Sequence, residues 1–212
     1  MPRLTPVPPS EDNAPIVKFI YKFMFGERNP ITDPGTATGT PGDWWTAFAI
    51  SPDILEHAVA GFGIYQSPNR QLDPVLRELG QTRVGYAAQS QFVYSQHCKS
   101  LRGLGMPDDK IADIPSWSTS DKFTEVERLV LAYTDCLALE LGRVPDAIFE
   151  GLRKHLSELE ILELTYITTL YLKHAVMSRA LRTEYDDVDE RITEIRVEGM
   201  EDFIMPVMGR RE

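Results

Sequence analysis

The sequence predicts an all-α protein with about seven to nine helices. Apolar residues recur at spacings of three and four along most of the chain, which places them on one face of a helix. Helix-start signals also repeat, as Ser-Pro or Asp-Pro pairs and as two capping boxes of the form Ser/Thr-x-x-Glu. Before Tyr185 no segment has the alternating pattern of a strand.

Length and charge limit the kinds of function. With 212 residues the chain is long enough for one domain with a substantial core. The 22 basic residues are outnumbered by 32 acidic residues, which argues against binding to a nucleic-acid backbone. Two cysteines, Cys98 and Cys136, provide neither a disulfide framework nor a metal cluster. We therefore expect no metal, no cofactor and no nucleic-acid partner.

Neither the first residues nor the apolar runs of the sequence indicate secretion or insertion into a membrane. The first nine residues are rich in proline and lack the apolar stretch of a secretory signal. The apolar runs are too short and too interrupted to span a bilayer. We expect a cytoplasmic protein with no membrane partner.

An N-terminal extension, residues 1–43, precedes the predicted main domain. Residues 1–13 are rich in proline and are expected to be extended. Pro15 can begin a helix that ends at Gly26, and residues 27–43 form a predicted loop rich in Pro, Gly and Thr. A loop of this length often covers a site or an interface.

Two helices follow this loop. Trp44, Trp45 and Phe48 come first, and they fit either a core or the wall of a ligand pocket. Ser51-Pro52-Asp53 has a capping serine, a proline at the first helical position and an acid at the positive end of the helix dipole. Asp73-Pro74 begins the next helix in the same way, and this helix carries Glu78.

The segment from Glu78 to Gly105 organises the rest of the prediction. Gly105, followed by Met-Pro, indicates the end of a helix that carries His97. A histidine on an inward face needs a polar partner. Helical spacing places six residues on that face: Ser90, Val93, Tyr94, His97, Leu101 and Leu104.

Glu78 is a candidate partner for His97 only if the chain turns between them. On one straight helix, nineteen residues would separate the two side chains by about 28 Å. The segment Ala88-Gln89-Ser90 is a plausible break, with Ser90 as the N-cap of the second helix. Contact across a subunit interface is the alternative.

The second half of the chain continues the helical pattern. A short acidic helix after Gly105 is followed by a loop at 115–120 that contains Trp117. The capping box Thr124–Glu127 begins a helix that extends to Leu141. Pro145 opens the next helix.

The capping box Ser157–Glu160 begins the most apolar helix, which we expect to be buried on most sides, centrally or between subunits. His174 interrupts this helix and is more often a hydrogen-bonded structural residue than a ligand.

The tail, residues 188–212, is predicted to be an arm. Residues 191–198 alternate between charged and apolar side chains, which fits a short strand or an extended arm on a neighbouring subunit. A second group of tail residues is too apolar for a free end and is expected to dock: Phe203, Ile204, Met205 and Met208.

The Glu78–Gly105 segment resembles the carboxymuconolactone decarboxylase and alkylhydroperoxidase D (AhpD) superfamily. Its redox branch carries Glu, eleven residues, Cys, two residues, Cys, three residues and His. Glu78 and His97 fall at the Glu and His positions, whereas Ser90 and Val93 replace the two cysteines. Gly105 and the acidic residues after it match the pattern downstream of the family histidine.

The residues before His97 also resemble the cysteine-free, decarboxylase-like branch of this family. That branch often carries Tyr-Glu-Trp-x-x-His, where this chain has Phe92, Val93 and Tyr94. The resemblance covers residues 44–187, the predicted main domain. It implies an AhpD-like helical bundle that assembles into dimers, trimers or hexamers, with sites near the subunit contacts.

The residues present favour acid–base chemistry. A two-cysteine redox mechanism needs a resolving cysteine two residues from a thiolate, which Ser90 and Val93 cannot provide. His97 would donate a proton, and Glu78 would orient it. The resemblance implies decarboxylation, or a related lyase or hydrolase step, on a small carboxylated lactone or another intermediate of aromatic-compound catabolism. The predicted substrate-binding residues are Tyr94, Ser90, Arg83 and His174.

Two alternatives remain open at this stage. The chain could be a helical oligomer that binds a ligand without catalysis. It could instead be a one-cysteine peroxidase that uses Cys98, although adjacent residues such as His97 and Cys98 point about 100° apart on a helix.

Overall fold

The computed structural model describes residues 1–190 and 192–200. These residues form nine α-helices and one 3₁₀ helix, with no strand, so the predicted all-α class is confirmed. The predicted docking residues Phe203, Ile204, Met205 and Met208 lie outside the described residues. The α-helices are α1 (Pro15–Phe25), α2 (Asp43–Phe48), α3 (Pro52–Tyr65), α4 (Pro74–Ala87), α5 (Gln91–Gly103), α6 (Asp108–Ile111), α7 (Glu125–Ala138), α8 (Asp146–Arg153) and α9 (Glu158–Leu181).

The described chain divides into two compact units. The first consists of Met1–Ser67 and Ser178–Glu190, and the second of Pro68–Met177 together with residues 192–200. The domain boundaries expected from the family resemblance, after residues 43 and 187, stay a prediction. No helix in residues 1–190 and 192–200 combines the length and the apolar character that crossing a membrane requires.

The core of the first unit is aromatic. Trp44 stacks on Phe48 with ring centroids 3.8 Å apart, and Phe62 on α3 packs against Trp44 at 5.8 Å. Trp45 is buried beside them. Burial of such large rings supplies much of the stability of a small core. Of the two interpretations of Trp44, Trp45 and Phe48, the core role is therefore the one that the contacts within this unit support.

Glu184 anchors the start of α2 within the first unit. Its two carboxyl oxygens accept hydrogen bonds from the backbone N–H groups of Gly42 and Trp44, at 2.9 and 3.0 Å. The Asp43 carboxylate in turn accepts the Glu184 backbone N–H. Burial, followed by the nearby charge of Asp43, raises the pKa of Glu184 to about 8.

The second unit is organised by α4 and α5, which pack against each other as a helical hairpin. Asp73 caps α4 by accepting the Val75 N–H at 2.8 Å. The turn between the helices places Gln89 at φ 58°. Ser90 then caps α5 by accepting the Val93 N–H at 3.1 Å. The chain thus turns at the predicted break.

Both predicted capping boxes are present in the second unit. Thr124 donates its backbone N–H to Glu127 at 2.7 Å, and its hydroxyl accepts the Glu127 N–H at 3.4 Å. Ser157 and Glu160 form the same pair of contacts at 2.8 and 3.3 Å before α9. Each box satisfies backbone donors that a helix leaves without partners in its first turn.

Three local predictions were wrong. The Ser51 hydroxyl donates to the Asp53 carboxylate at 2.6 Å, so it does not cap α3. The predicted loop at 115–120 contains a 3₁₀ helix, Ile114–Thr119. Helix α7 ends at Ala138 because Leu141, predicted to continue it, has φ 53°.

Helix α9 is buried on most sides, as predicted, and one face of it is exposed in the single chain. Leu162, Tyr166 and Val176 are exposed on one side of this helix, at 63%, 49% and 56%. Their spacing of four and ten residues keeps them on a common face. Burial of this face between subunits stays a prediction.

The arm lies on its own chain in the second unit and forms no strand. The Ile195 backbone N–H donates to the Ser95 hydroxyl of α5 at 2.8 Å. Glu194 pairs with Arg102 at 3.0 Å. The predicted strand is therefore wrong for residues 192–200, because polar groups of α5 provide hydrogen-bond partners that a strand would need. Packing of the arm on a neighbouring subunit stays a prediction.

Candidate functional site

Glu78 and His97 form a buried hydrogen-bonded pair in the second unit. The distance between Glu78 Oε2 and His97 Nδ1 is 2.7 Å. Each residue is only 1% exposed. A carboxylate and an imidazole this close and this well shielded interact far more strongly than a pair at the surface.

The hairpin of α4 and α5 explains how residues nineteen positions apart meet. Glu78 lies in the first half of α4 and His97 near the middle of α5. The turn at Gln89 reverses the chain, which brings the two positions to the same level. Gly85 permits this close approach, because a Cβ there would lie 2.5 Å from the Tyr94 backbone nitrogen.

Arg77 holds the other oxygen of the Glu78 carboxylate. Its Nε and Nη2 atoms donate to Glu78 Oε1 at 3.2 and 3.1 Å. Burial alone would raise the pKa of Glu78, but the charges and hydrogen bonds of His97 and Arg77 outweigh it and hold the pKa below its usual value. Glu78 is therefore a carboxylate at neutral pH, and it accepts the hydrogen bond that His97 Nδ1–H donates.

Two aromatic side chains of α9 extend the site. The Tyr171 ring meets the His97 ring edge-on, with centroids 4.4 Å apart. His174 lies 5.7 Å from Tyr171, also measured between centroids. Burial, followed by the charges of Lys173 and His97, lowers the pKa of His174 to about 3. A neutral His174 beside the pair is a hydrogen-bonding group and not a proton donor at physiological pH.

Arg83, predicted to bind the substrate, forms hydrogen bonds with other parts of the second unit. Its guanidinium donates to the Asp135 carboxylate of α7 at 2.6 and 3.0 Å. It also donates to the carbonyls of Ile114 and Pro115. These contacts fix α4 to α7 and to the 3₁₀ helix. They support a structural role for Arg83, and substrate binding by Arg83 stays a prediction.

Ser90 and Tyr94, the other two predicted substrate-binding residues, have roles in the hairpin. The Ser90 hydroxyl caps α5. Tyr94 packs edge-on against Tyr86, with centroids 5.6 Å apart, and belongs to an apolar cluster with Leu79 and Leu101. Burial, followed by the nearby Cys98, raises the pKa of the Tyr94 hydroxyl. The contacts of Ser90 and Tyr94 support structural roles, and substrate binding by either residue stays a prediction.

Cys98 is an inert thiol in this environment. It is 0% exposed and lies in the same apolar cluster as Tyr94. Burial raises the pKa of the Cys98 thiol, and the charge of Glu194 acts in the same direction. Because peroxide reacts with the thiolate, this position argues against a one-cysteine peroxidase.

The sequence did not indicate that Arg77 and Tyr171 contact the pair. Arg77 directly precedes Glu78, and this position is the signal from which its contact with the carboxylate could have been inferred. Tyr171 lies one turn before His174, a spacing that places both on one face of α9. Within residues 1–190 and 192–200, no three His, Cys, Asp or Glu side chains are grouped to hold a metal ion.

The comparison with protein families agrees with this geometry. The model of the carboxymuconolactone decarboxylase family matches residues 52–135, which include Glu78, Ser90, Val93 and His97. Residues 52–135 are thus similar to the carboxymuconolactone decarboxylase and AhpD-like superfamily. The resemblance predicted from the sequence is thereby confirmed.

Two proteins to which this chain is similar are 25% identical to it. The uncharacterized protein YnjA of Escherichia coli is 25% identical over 131 residues, which are 62% of this chain and 70% of the relative. A protein of unknown function from Agrobacterium tumefaciens, suggested to serve in AhpD antioxidant defence, is also 25% identical, with a TM-score of 0.59. That match covers 64% of this chain and 92% of the other.

More distant structures share the fold of this chain. The debrominase Bmp8, solved in complex with 2,3,4-tribromopyrrole, has a TM-score of 0.65 and is 15% identical. The match covers 86% of this chain and 92% of Bmp8. An AhpD core protein from Ralstonia eutropha has a TM-score of 0.60 at 18% identity, covering 68% of this chain and 77% of that one. At these identities the likeness concerns the fold alone.

Proposed function

We propose that this protein catalyses an acid–base step, decarboxylation or a related lyase or hydrolase reaction, on a small carboxylated lactone or another intermediate of aromatic-compound catabolism. The observation that carries the proposal is the buried contact of 2.7 Å between Glu78 and His97. The resemblance to this family supports the substrate class, since the matching family model is that of carboxymuconolactone decarboxylases.

The orientation of His97 decides which nitrogen takes part in chemistry. Arg77 and His97 keep Glu78 ionised, so Glu78 Oε2 accepts the proton on His97 Nδ1. Nε2 is then the nitrogen that would exchange a proton with a substrate. The Glu78 carboxylate also stabilises the imidazolium that forms when Nε2 is protonated, as in other acid–base sites that pair a histidine with a carboxylate.

Decarboxylation needs one proton at one carbon. The bond between the ring carbon and the carboxylate breaks, carbon dioxide leaves, and the electron pair stays on the ring carbon, where conjugation with a lactone carbonyl can hold it. The imidazolium Nε2–H of His97 then protonates this carbon, and solvent returns a proton to Nε2. A general acid placed in this way typically contributes about 10²–10⁴-fold in rate.

The reaction is tested by measuring carbon dioxide release from a panel of small carboxylated lactones. We expect His97→Ala to lower the rate at least about hundredfold, because it removes the proton donor. The control is His57→Ala, which changes an exposed histidine of the first unit and should leave the rate unchanged. Equal rates for wild-type protein and His97→Ala would remove His97 from the mechanism.

A second candidate function is ligand binding without catalysis. The observation that favours it is the burial of the pair: Glu78, His97 and Tyr171 are each 5% exposed or less. A sealed pair of this kind can specify a fold without chemistry. Ligands that raise the thermal stability of the wild-type protein and are recovered unchanged would support this alternative.

Self-association and location are proposals as well. The exposed residues Leu162, Tyr166 and Val176 form one apolar face of α9, which a second copy of the chain could cover in a homo-oligomer. Sedimentation of the wild-type protein and of Leu162→Lys would show whether this face contributes to assembly. The proposed location, the cytoplasm, can be tested by fractionating the cells that produce the protein.

A further inference from the structure

Gln81 is a buried amide close to the proposed acid–base pair. It is 0% exposed, and neither Oε1 nor Nε2 has a hydrogen-bond partner among the described residues. A buried amide normally bonds through both atoms, and leaving both without partners is costly. Such a side chain in a native interior calls for a partner from outside the polypeptide, either a bound water or a ligand.

The position of Gln81 on α4 points to a substrate as that partner. Gln81 follows Glu78 by three residues, so the two side chains leave the helix about 60° apart on one face, a turn from each other. Gln81 therefore belongs to the helical face that carries the proposed site.

Helix α9 lies against the same turn of α4. A Cβ built on Gly80 would lie 3.0 Å from the Thr168 hydroxyl oxygen. This hydroxyl is also buried and has no hydrogen-bond partner within the described part of the chain. Tyr171, one turn further along α9, meets the His97 ring. Two unsatisfied polar side chains thus lie on neighbouring helices, Gln81 one turn from Glu78 on α4 and Thr168 one turn from Tyr171 on α9.

We propose that Gln81 binds the substrate and orients it toward His97, its amide pairing with an uncharged oxygen such as a lactone carbonyl or a ring hydroxyl. This inference rests on the proposed function and adds a specificity residue to it. An amide offers two N–H donors and one acceptor oxygen without a charge. It therefore suits the ring of a carboxylated lactone better than the carboxylate itself.

Binding is measured on His97→Ala, which separates affinity from turnover. The probes are two matched small carboxylates, a carboxylated lactone and the cyclic ether that lacks the lactone carbonyl. We expect Gln81→Leu, placed in the His97→Ala chain, to weaken binding of the lactone about tenfold and to leave binding of the ether nearly unchanged. Gln81→Met, which keeps the length and flexibility of the side chain, should behave in the same way.

Two controls exclude a purely structural effect. Gln71→Leu changes an exposed glutamine and should alter neither affinity. The thermal unfolding temperature of Gln81→Leu should equal or exceed that of the parent, because the change removes two unsatisfied polar atoms. A variant that unfolds at markedly lower temperature would show that Gln81 already has a structural partner, and this would overturn the proposal.

The remaining outcomes separate this inference from the proposed reaction. Equal affinities of the parent and Gln81→Leu for the lactone would reject the role of Gln81, even if wild-type protein releases carbon dioxide. A loss of lactone affinity that depends on Gln81, without carbon dioxide release by wild-type protein, would support the binding role and reject the reaction. No binding of either probe to the parent would count against both.

Discussion

Gly85 on α4 lies against the backbone of Tyr94 on α5, so closely that a Cβ at position 85 would be 2.5 Å from the Tyr94 nitrogen. The atoms that it would meet belong to a helix backbone, which cannot rotate out of the way. The contact sets the spacing of the hairpin that brings Glu78 to His97.

Gly85→Ala is therefore expected to destabilise the protein by about 1–3 kcal/mol or more, the usual cost of overpacking. Urea unfolding measures this. The matched control is Gly151→Ala in α8, where the nearest atom belongs to the Leu129 side chain, at 2.7 Å, and can move aside. If Gly85→Ala lowers the free energy of unfolding no more than the control does, the close approach of α4 and α5 at this glycine is contradicted.

The charge of Glu78 predicts an acid-dependent loss of stability. His97 and Arg77 hold its pKa below the ordinary value of 4.5 in the folded protein. A lowered pKa stabilises the fold above the unfolded value and loses that contribution as the pH falls through the folded value. The free energy of unfolding of the wild-type protein should thus decrease below about pH 4.5, and Glu78→Gln should weaken this decrease. The free energy of unfolding of both proteins is measured by urea unfolding at a series of pH values. If the two plots of free energy against pH are parallel throughout, the prediction is contradicted.

Glu184, in the first unit, should give the opposite dependence of stability on pH. Its pKa is raised to about 8, so its contribution is fully present below pH 4.5 and is lost as the pH rises through 8. Amide hydrogen exchange at Gly42 and Trp44, whose N–H groups bond to Glu184, should report progressively weaker protection across this range. After correction for intrinsic exchange, Glu184→Gln should remove most of the pH dependence. An unchanged dependence would show that another group is responsible.

Cys98 should react slowly with thiol reagents. The Cys136→Ser variant leaves Cys98 as its single thiol. We expect alkylation at neutral pH to be at least about a hundred times slower in the folded variant than in the same variant unfolded in urea, because the buried thiol is held protonated. Rapid alkylation of the folded variant would restore the one-cysteine peroxidase as a candidate.

The elements that the sequence predicted well depend on local chemistry. The turn before α5 was predictable because Ser90 caps the helix by bonding to an N–H only three residues away. The capping box at Thr124 and Glu127 is equally local. The pairing of Glu78 with His97 could be predicted only on the condition that the chain turns between the two residues. The turn at Gln89 fulfils this condition.

The elements that the sequence did not predict depend on distant partners. The partner of Arg83, Asp135, lies 52 residues further along the chain, so the sequence did not indicate this ion pair. The unsatisfied amide of Gln81 could not be anticipated either, since burial and missing hydrogen bonds are properties of the folded chain. The hydrogen bond from the Ile195 N–H to the Ser95 hydroxyl joins residues 100 positions apart. The alternation of charged and apolar side chains in the tail does not indicate such a partner.

The central claim is that Glu78 and His97 act as one proton-transfer unit, and a double-mutant cycle on the rate of carbon dioxide release tests it most directly. Residues that act as a unit have strongly non-additive effects. We predict that His97→Ala lowers the rate at least about hundredfold, that Glu78→Gln lowers it less, and that the double variant is no slower than His97→Ala alone. Losses that multiply in the double variant, or rates equal to wild type in both single variants, would contradict the claim.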